Sequence, residues 1–153
     1  MINHSFDTRY SEGTISTHDK NTKIKCHMLK NLETITPEYI KTQNVNAIFI
    51  NEGQFFTDLS STVIQLVDIH KKTVHVNGLD GDYKRDKFGQ LLDLIPYCDD
   101  VIKLKALCGV CKNCTKGIFT YRKTQQKEQI IVSQEGMYVP VCRNCYNTLE
   151  KMK

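Results

Sequence analysis

Ala47-Ile48-Phe49-Ile50 is a short, unbroken apolar run. Such a run predicts a strand covered on both faces, as in a parallel sheet. Leu59, Val63, Leu66, Val67 and His70 then recur at helical spacing. Asp58 stands where an N-cap is wanted. Residues 73 to 79 predict a second strand, ending in Asn77-Gly78-Leu79, and Asp80-Gly81-Asp82-Tyr83 reads as a turn. Phe88, Leu91, Leu92 and Ile95 mark a short helix stopped by Pro96. Val101, Ile102, Leu104 and Leu107 suggest a third strand. Upstream, residues 26 to 35 hold a short element and Pro37–Ile40 a helical turn. Alternation of strand and helix predicts an open α/β sheet. Residues 1 to 25 are polar and show neither period, which predicts a disordered N-terminus.

From residue 108 the pattern changes. Cys, Gly, Thr, Lys and Gln dominate, with short β-like pieces at Ile118–Tyr121 and Gln129–Val132. Cys108 and Cys111 form one C-x2-C pair; Cys142 and Cys145 form another about 30 residues on. Four thiolates can surround one tetrahedral zinc, and the two-residue spacer lets both members of a pair reach it. Ordinary buried thiols would have to produce both pairs by accident. Cys114 makes a competing Cys111-Lys-Asn-Cys114 spacing. Residues 115–141 would then be a long polar loop tethered at both ends by metal, able to close over a small ligand or to form a plain zinc hairpin. The tail, Tyr146 to Lys153, is expected to fray.

Composition adds little. The chain has 153 residues, 40% hydrophobic and 25% charged, with a net charge of +4 and a pI of about 8.6. The dispersed basic residues suit a small anionic substrate and argue against a nucleic-acid stripe. Seven cysteines, an odd number, argue against a disulfide scaffold and for a reducing, cytoplasmic setting. No apolar run is long enough to span a bilayer. Cys26 and Cys98 read as small buried residues.

Glu52 follows the apolar strand directly. Ligands collect outside the carboxyl ends of strands in open α/β folds, so this carboxylate suits proton transfer or a metal ion. Capping a helix or pairing with Arg9 is the plainer alternative. Arg9 suits phosphate through its planar fork, or is a solvated loop charge. Tyr83-Lys84-Arg85 with Lys87 reads equally as a phosphate contact or a solvated face. His18 and His70 read as surface or helix-end residues.

Asn51-Glu52-Gly53-Gln54-Phe55-Phe56, Leu79-Asp80-Gly81-Asp82-Tyr83-Lys84-Arg85, Phe88-Gly89, Leu92-Asp93-Leu94-Ile95-Pro96 and Val101-Ile102-Lys103-Leu104 resemble thymidine kinases of the cellular and poxvirus type. So do Asp7-Thr8-Arg9-Tyr10-Ser11 and Thr17-His18-Asp19. The resemblance runs from about residue 2 to residue 146. It implies transfer of the ATP γ-phosphate to the 5′-hydroxyl of deoxythymidine, with Glu52 as general base. Asp7, Arg9 and Asn51 would line the ATP–magnesium side. Leu79 and Tyr83 would flank the thymine, with Thr120 near the base and Tyr138 near the sugar. Tyr83 stands where the family usually has Phe. Cys108, Cys111, Cys142 and Cys145 would bind structural zinc. The loop between the cysteine pairs would be the lasso that closes over the nucleoside. A homodimer or homotetramer, with no membrane or direct nucleic-acid contact, is implied.

The resemblance divides the chain into a partial α/β nucleotide-binding domain (1–104), a zinc-ribbon-like β lobe carrying the lasso (105–146) and a tail (147–153). The expected fold is a P-loop-kinase-like parallel core without its N-terminal strand and phosphate loop, since no G-x-x-x-x-G-K-[ST] motif occurs in the sequence. The family's Asp-Glu pair is Asn51-Glu52 here, which removes an aspartate that supports magnesium. Two accounts follow: a truncated piece of a working kinase, or an inactive relative retaining a nucleoside-binding or structural role. A zinc-ribbon binding module is the alternative from another class.

Overall fold

The computed structural model describes residues 1–7, 13–16, 22–131 and 136–152. Arg9 and the Thr17-His18-Asp19 run lie outside the described residues. The chain divides into two compact units: Met1–Asp80 with Phe88–Asp99, and Gly81–Lys87 with Asp100–Lys153.

The strands of the first unit are β1 (Ile2–His4), β2 (Thr14–Ser16), β3 (Lys23–Lys25), β4 (His27–Leu29), β5 (Ala47–Ile50) and β6 (Thr73–Val76). Four of them form a parallel sheet in the order β4-β1-β5-β6, and β2 pairs with β3 as a separate antiparallel hairpin. Parallel neighbours need crossovers. Helix α1 (Pro37–Thr42) lies between β4 and β5; α2 (Leu59–Ile64), prolonged by a wider turn at Gln65–Ile69, lies between β5 and β6. Pro37 opens α1, and Thr36 caps it by accepting a hydrogen bond from the Tyr39 amide.

The N-terminus differs from the sequence expectation. Ile2, Asn3 and His4 are all buried, in a central strand with partners on both sides. Three residues are too few to display a period, so only the partner strands reveal them. Strand β5 also differs: its burial alternates. Ile48 and Ile50 enter a core with Leu32, Ile40, Phe56, Leu59, Val63 and Leu66. Phe49 stays 43% exposed and stacks on His75 of β6, with ring centroids 4.7 Å apart. Asp58 does not cap its own helix. Its carboxylate instead accepts from the Leu32 and Glu33 amides, at 2.7 and 2.9 Å, serving the start of a different short helix. The helical segment at Leu91–Tyr97 is a 3-10 helix that contains Pro96 rather than ending before it.

His4 is buried against Phe6 and Phe56, with ring centroids 4.7 and 4.6 Å away. One ring nitrogen faces the Lys30 carbonyl and the other accepts from the Phe6 amide, the pattern of a neutral imidazole. Burial lowers its pKa below 6.5, outweighing the Lys30 carbonyl and the Asp58 and Glu52 carboxylates, which pull the other way. The unfolded chain therefore takes up this proton first as pH falls. Stability is complete above pH 6.5 and is lost below it, by at most about 1.4 kcal/mol per pH unit. Urea unfolding at pH 7.5 and 5 should show this loss, and His4→Gln should flatten it.

The second unit has two small sheets. β7 (Ala106–Leu107) pairs antiparallel with β8 (Lys116–Gly117), and β9 (Phe119–Arg122) with β10 (Tyr138–Val141). Helix α3 (Arg143–Lys151) follows. Cys108, Tyr121, Val141, Cys142 and Tyr146 are its buried core. The tail expected to fray is thus a helix, anchored by Tyr146. The strand expected at 101–107 reduces to Ala106–Leu107, and Val101, Ile102, Leu104 and Leu107 are exposed. The piece expected at 129–132 forms no strand in its described part, 129–131, where the Gln129 carbonyl is taken by Arg122. Among the described residues, no helix is long and apolar enough to cross a membrane.

Candidate functional site

In the first unit, the carboxyl ends of β1, β5 and β6 carry a ladder of amide side chains. Asn77 donates to the Asn51 carbonyl oxygen at 2.5 Å, Asn51 donates to Asn3 at 3.0 Å, and Asn3 donates to the Asp7 carboxylate at 3.0 Å. Asp7 is buried, and so is Asn3. The parallel register brings these residues together, because equivalent strand ends lie side by side. Both ends of the Asn51 amide are thus engaged by protein. It is neutral and occupied, and does not fit the role of an anionic magnesium ligand.

Glu52 stands one residue further along, in the left-handed region at φ 53°. A non-glycine residue there is uncommon. The turn is fixed by the Gly53 amide, which donates to the Asn77 carbonyl at 3.0 Å, and by buried Gln54. Gln54 donates to the Glu52 carboxylate at 2.6 Å while its own carbonyl oxygen accepts from the Leu79 amide at 3.0 Å. Leu79 is 43% exposed. Asp7, Asn51, Glu52 and Leu79 therefore belong to one network in the first unit. The sequence singled out those four but not Asn3, Gln54 or Asn77, whose spacing carries no signal because the parallel register alone aligns them.

In the second unit, the sulfurs of Cys108, Cys111, Cys142 and Cys145 all lie within 4.8 Å of one another. Tetrahedral zinc with bonds of about 2.3 Å needs sulfurs about 3.8 Å apart, so this set fits with a small contraction. Cys114 is exposed and lies outside the cluster, with Lys112 and Cys114 both in left-handed turns between Cys111 and β8. The backbone amides of Cys111 and then Cys142 favour the Cys108 thiolate and hold its pKa down to about 6. Hydrogen bonding with Cys142, then burial, pushes Cys145 up to about 12. The cluster thus favours a thiolate at Cys108 and disfavours one at Cys145, a cost that a divalent cation would relieve. Elsewhere, Cys98 is exposed and Cys26 half-buried, with its thiol 3.6 Å from the Met28 sulfur.

Tyr83, Thr120 and Tyr138 also lie in the second unit. Thr120 sits opposite Pro140 in the β9–β10 pair, and Tyr138 opposite Arg122. Tyr83 is buried; its hydroxyl donates to the Lys127 carbonyl at 2.9 Å, and its own carbonyl accepts from the Tyr146 hydroxyl at 2.7 Å. In the basic cluster, Arg85 lies over the Tyr146 ring, 4.4 Å from its centroid, while Asp82 accepts from the Lys84 and Asp86 amides. Arg122 was missed by the sequence reading.

The sequence model of the thymidine kinase family matches residues 1–146. The thymidine kinase of Oryza sativa subsp. japonica is 40% identical over 151 residues, covering 95% of this chain and 54% of its own length. Thymidine kinase a of Arabidopsis thaliana is 39% identical over 150 residues, covering 97% and 62%. The thymidine kinase of Mycoplasma mobile is 34% identical over 154 residues, covering 100% and 74%. The chain thus spans little more than half the length of the two plant relatives.

Proposed function

Because the chain belongs to the thymidine kinase family, we propose that it serves ATP-dependent phosphorylation of deoxythymidine at the 5′-hydroxyl. The observation that carries this reading is the convergence of Asp7, Asn51 and Glu52 at the carboxyl ends of adjacent parallel strands, where ligands bind in open α/β folds. Glu52 accepts the 5′-hydroxyl proton as the new oxygen–phosphorus bond forms. Gln54 holds the accepting carboxylate in place. Asp7 and Arg9 serve the phosphate side, and Leu79, Tyr83, Thr120 and Tyr138 the nucleoside side. No step is assigned to magnesium through Asn51, whose amide is already engaged.

The four clustered cysteines hold zinc. A set of four leaves no open coordination position, so the ion shapes the lobe and takes no part in transfer. The remaining parts of the reading are a P-loop-kinase-like core, a cytoplasmic location and a homodimer or homotetramer. Ile102 and Leu104, 81% and 85% exposed, favour a packing partner for residues 101–107. A non-catalytic nucleoside-binding role is the second reading, favoured by the neutral amide at Asn51.

Calorimetric titration of the zinc-loaded chain with thymidine, without ATP, is the test. Saturable micromolar binding is expected, and a parallel deoxyuridine titration sets the preference. A folded, zinc-bound sample that binds neither nucleoside would sink both the kinase and the nucleoside-binding readings.

A further inference from the structure

We propose that Arg122 and the Tyr83 hydroxyl are positioning residues that fasten segment 123–131 and leave the Tyr138 hydroxyl as a hydrogen-bond donor to the nucleoside. The proposal rests on the nucleoside reading above. Arg122 has no exposed surface, an unusual place for a cation. Its five N–H donors are all met by neutral oxygens. Nε donates to the Tyr138 hydroxyl at 3.0 Å; Nη1 donates to the Gln126 and Glu128 carbonyls at 3.0 and 2.6 Å; Nη2 donates to the Gln129 carbonyl and the Tyr138 hydroxyl at 3.0 and 2.7 Å. The guanidinium also lies 3.6 Å from the Tyr83 ring centroid, a stacked cation–π contact.

The Tyr83 hydroxyl donates to the remaining carbonyl of the run, that of Lys127. Four consecutive carbonyls, 126 to 129, are therefore drawn to one arginine–tyrosine pair. An irregular segment rarely surrenders four carbonyls in a row to side chains unless its path is being set. The Gln129 side chain adds a further tie, donating to the Asp82 carboxylate at 2.9 Å. With the carbonyls of residues 126–129 drawn to Arg122 and Tyr83, the backbone groups those four residues keep for a ligand are their N–H donors, which suit the carbonyl oxygens of a pyrimidine. The same arginine fixes Tyr138. A hydroxyl has two acceptor positions and one proton. Arg122 has only donors to offer, and two of them point at the Tyr138 oxygen, so the Tyr138 proton turns away from the guanidinium and is available to a sugar hydroxyl. Lysine cannot replace this planar fork.

Tyr83→Phe and Arg122→Lys separate the parts. The measurements are amide hydrogen exchange over residues 123–131, thymidine affinity by calorimetry and bound zinc, all on the full chain. Tyr83→Phe should speed exchange near Lys127 and weaken thymidine about fivefold to tenfold, the scale of one hydrogen bond. Arg122→Lys should weaken it by about 30-fold or more. Zinc stoichiometry should hold in both, which reports that the lobe still folds. Unchanged exchange in both variants overturns the fastening. Faster exchange with unaltered thymidine affinity overturns the positioning role. A parent chain that binds no thymidine removes the nucleoside reading and the positioning role with it, while faster exchange in the variants would still establish the fastening.

Discussion

Stripping the metal from the four-cysteine cluster is expected to unfold the second unit. Among the described residues, the lobe's buried hydrophobic cluster is Cys108, Tyr121, Val141, Cys142 and Tyr146, and two of these five belong to the four-cysteine cluster. So small a core cannot offset the chain entropy of a loop running from Cys111 to Cys142. Structural zinc contributes on the order of 10 kcal/mol of apparent folding energy, more than a core of this size supplies. A strong chelator, or Cys142→Ser, should therefore expose residues 105–152 to rapid proteolysis. Near-ultraviolet dichroism from Tyr121 and Tyr146 should vanish, and thymidine affinity with it. Cys114→Ser is the control: that thiol is exposed and outside the cluster, so zinc content and proteolysis should stay at parental levels. Zinc loss in Cys114→Ser would show that the ligand set differs from the one the sulfurs form here. A chelated lobe that keeps its tyrosine signal would show that the metal is not structural.

Glu52→Gln is expected to lower thymidine phosphorylation by about 10²–10⁴-fold, the usual contribution of a positioned base. The change keeps the side chain's length and one oxygen to accept from Gln54, so the left-handed turn at residue 52 should survive. Thymidine affinity should then match the parent, because the substitution removes a proton acceptor and no nucleoside contact. Turnover and binding are read on the same preparation. Loss of both together would mean that Glu52 holds the turn and does not take the proton. Parental turnover would remove it from the chemistry altogether.

The sequence alone determined much of this protein. The apolar run Ala47–Ile50 and the helical spacing after Asp58 were enough for a parallel α/β core, because strand and helix periods are local properties. The two C-x2-C pairs singled out, from seven cysteines, the four whose sulfurs cluster, for the same reason: a two-residue spacer is a geometric statement about one turn of chain. The family was legible in the order of short motifs from Asp7 to Cys145.

What the sequence missed depends on contacts between distant segments. Ile2–His4 is a central strand only because β4 and β5 flank it, and Phe49 is exposed only because one face of the sheet is covered. Asp58 left its own helix for Leu32 and Glu33, a choice set by packing and not by capping preference. The Asn77–Asn51–Asn3–Asp7 ladder exists because parallel register aligns three strand ends from positions up to 74 residues apart in the chain numbering. Nothing in the sequence sets Arg122 apart from the other basic residues. Its side chain is buried because four carbonyl oxygens and a tyrosine hydroxyl gather around it and Tyr83, and only the folded lobe brings those oxygens together.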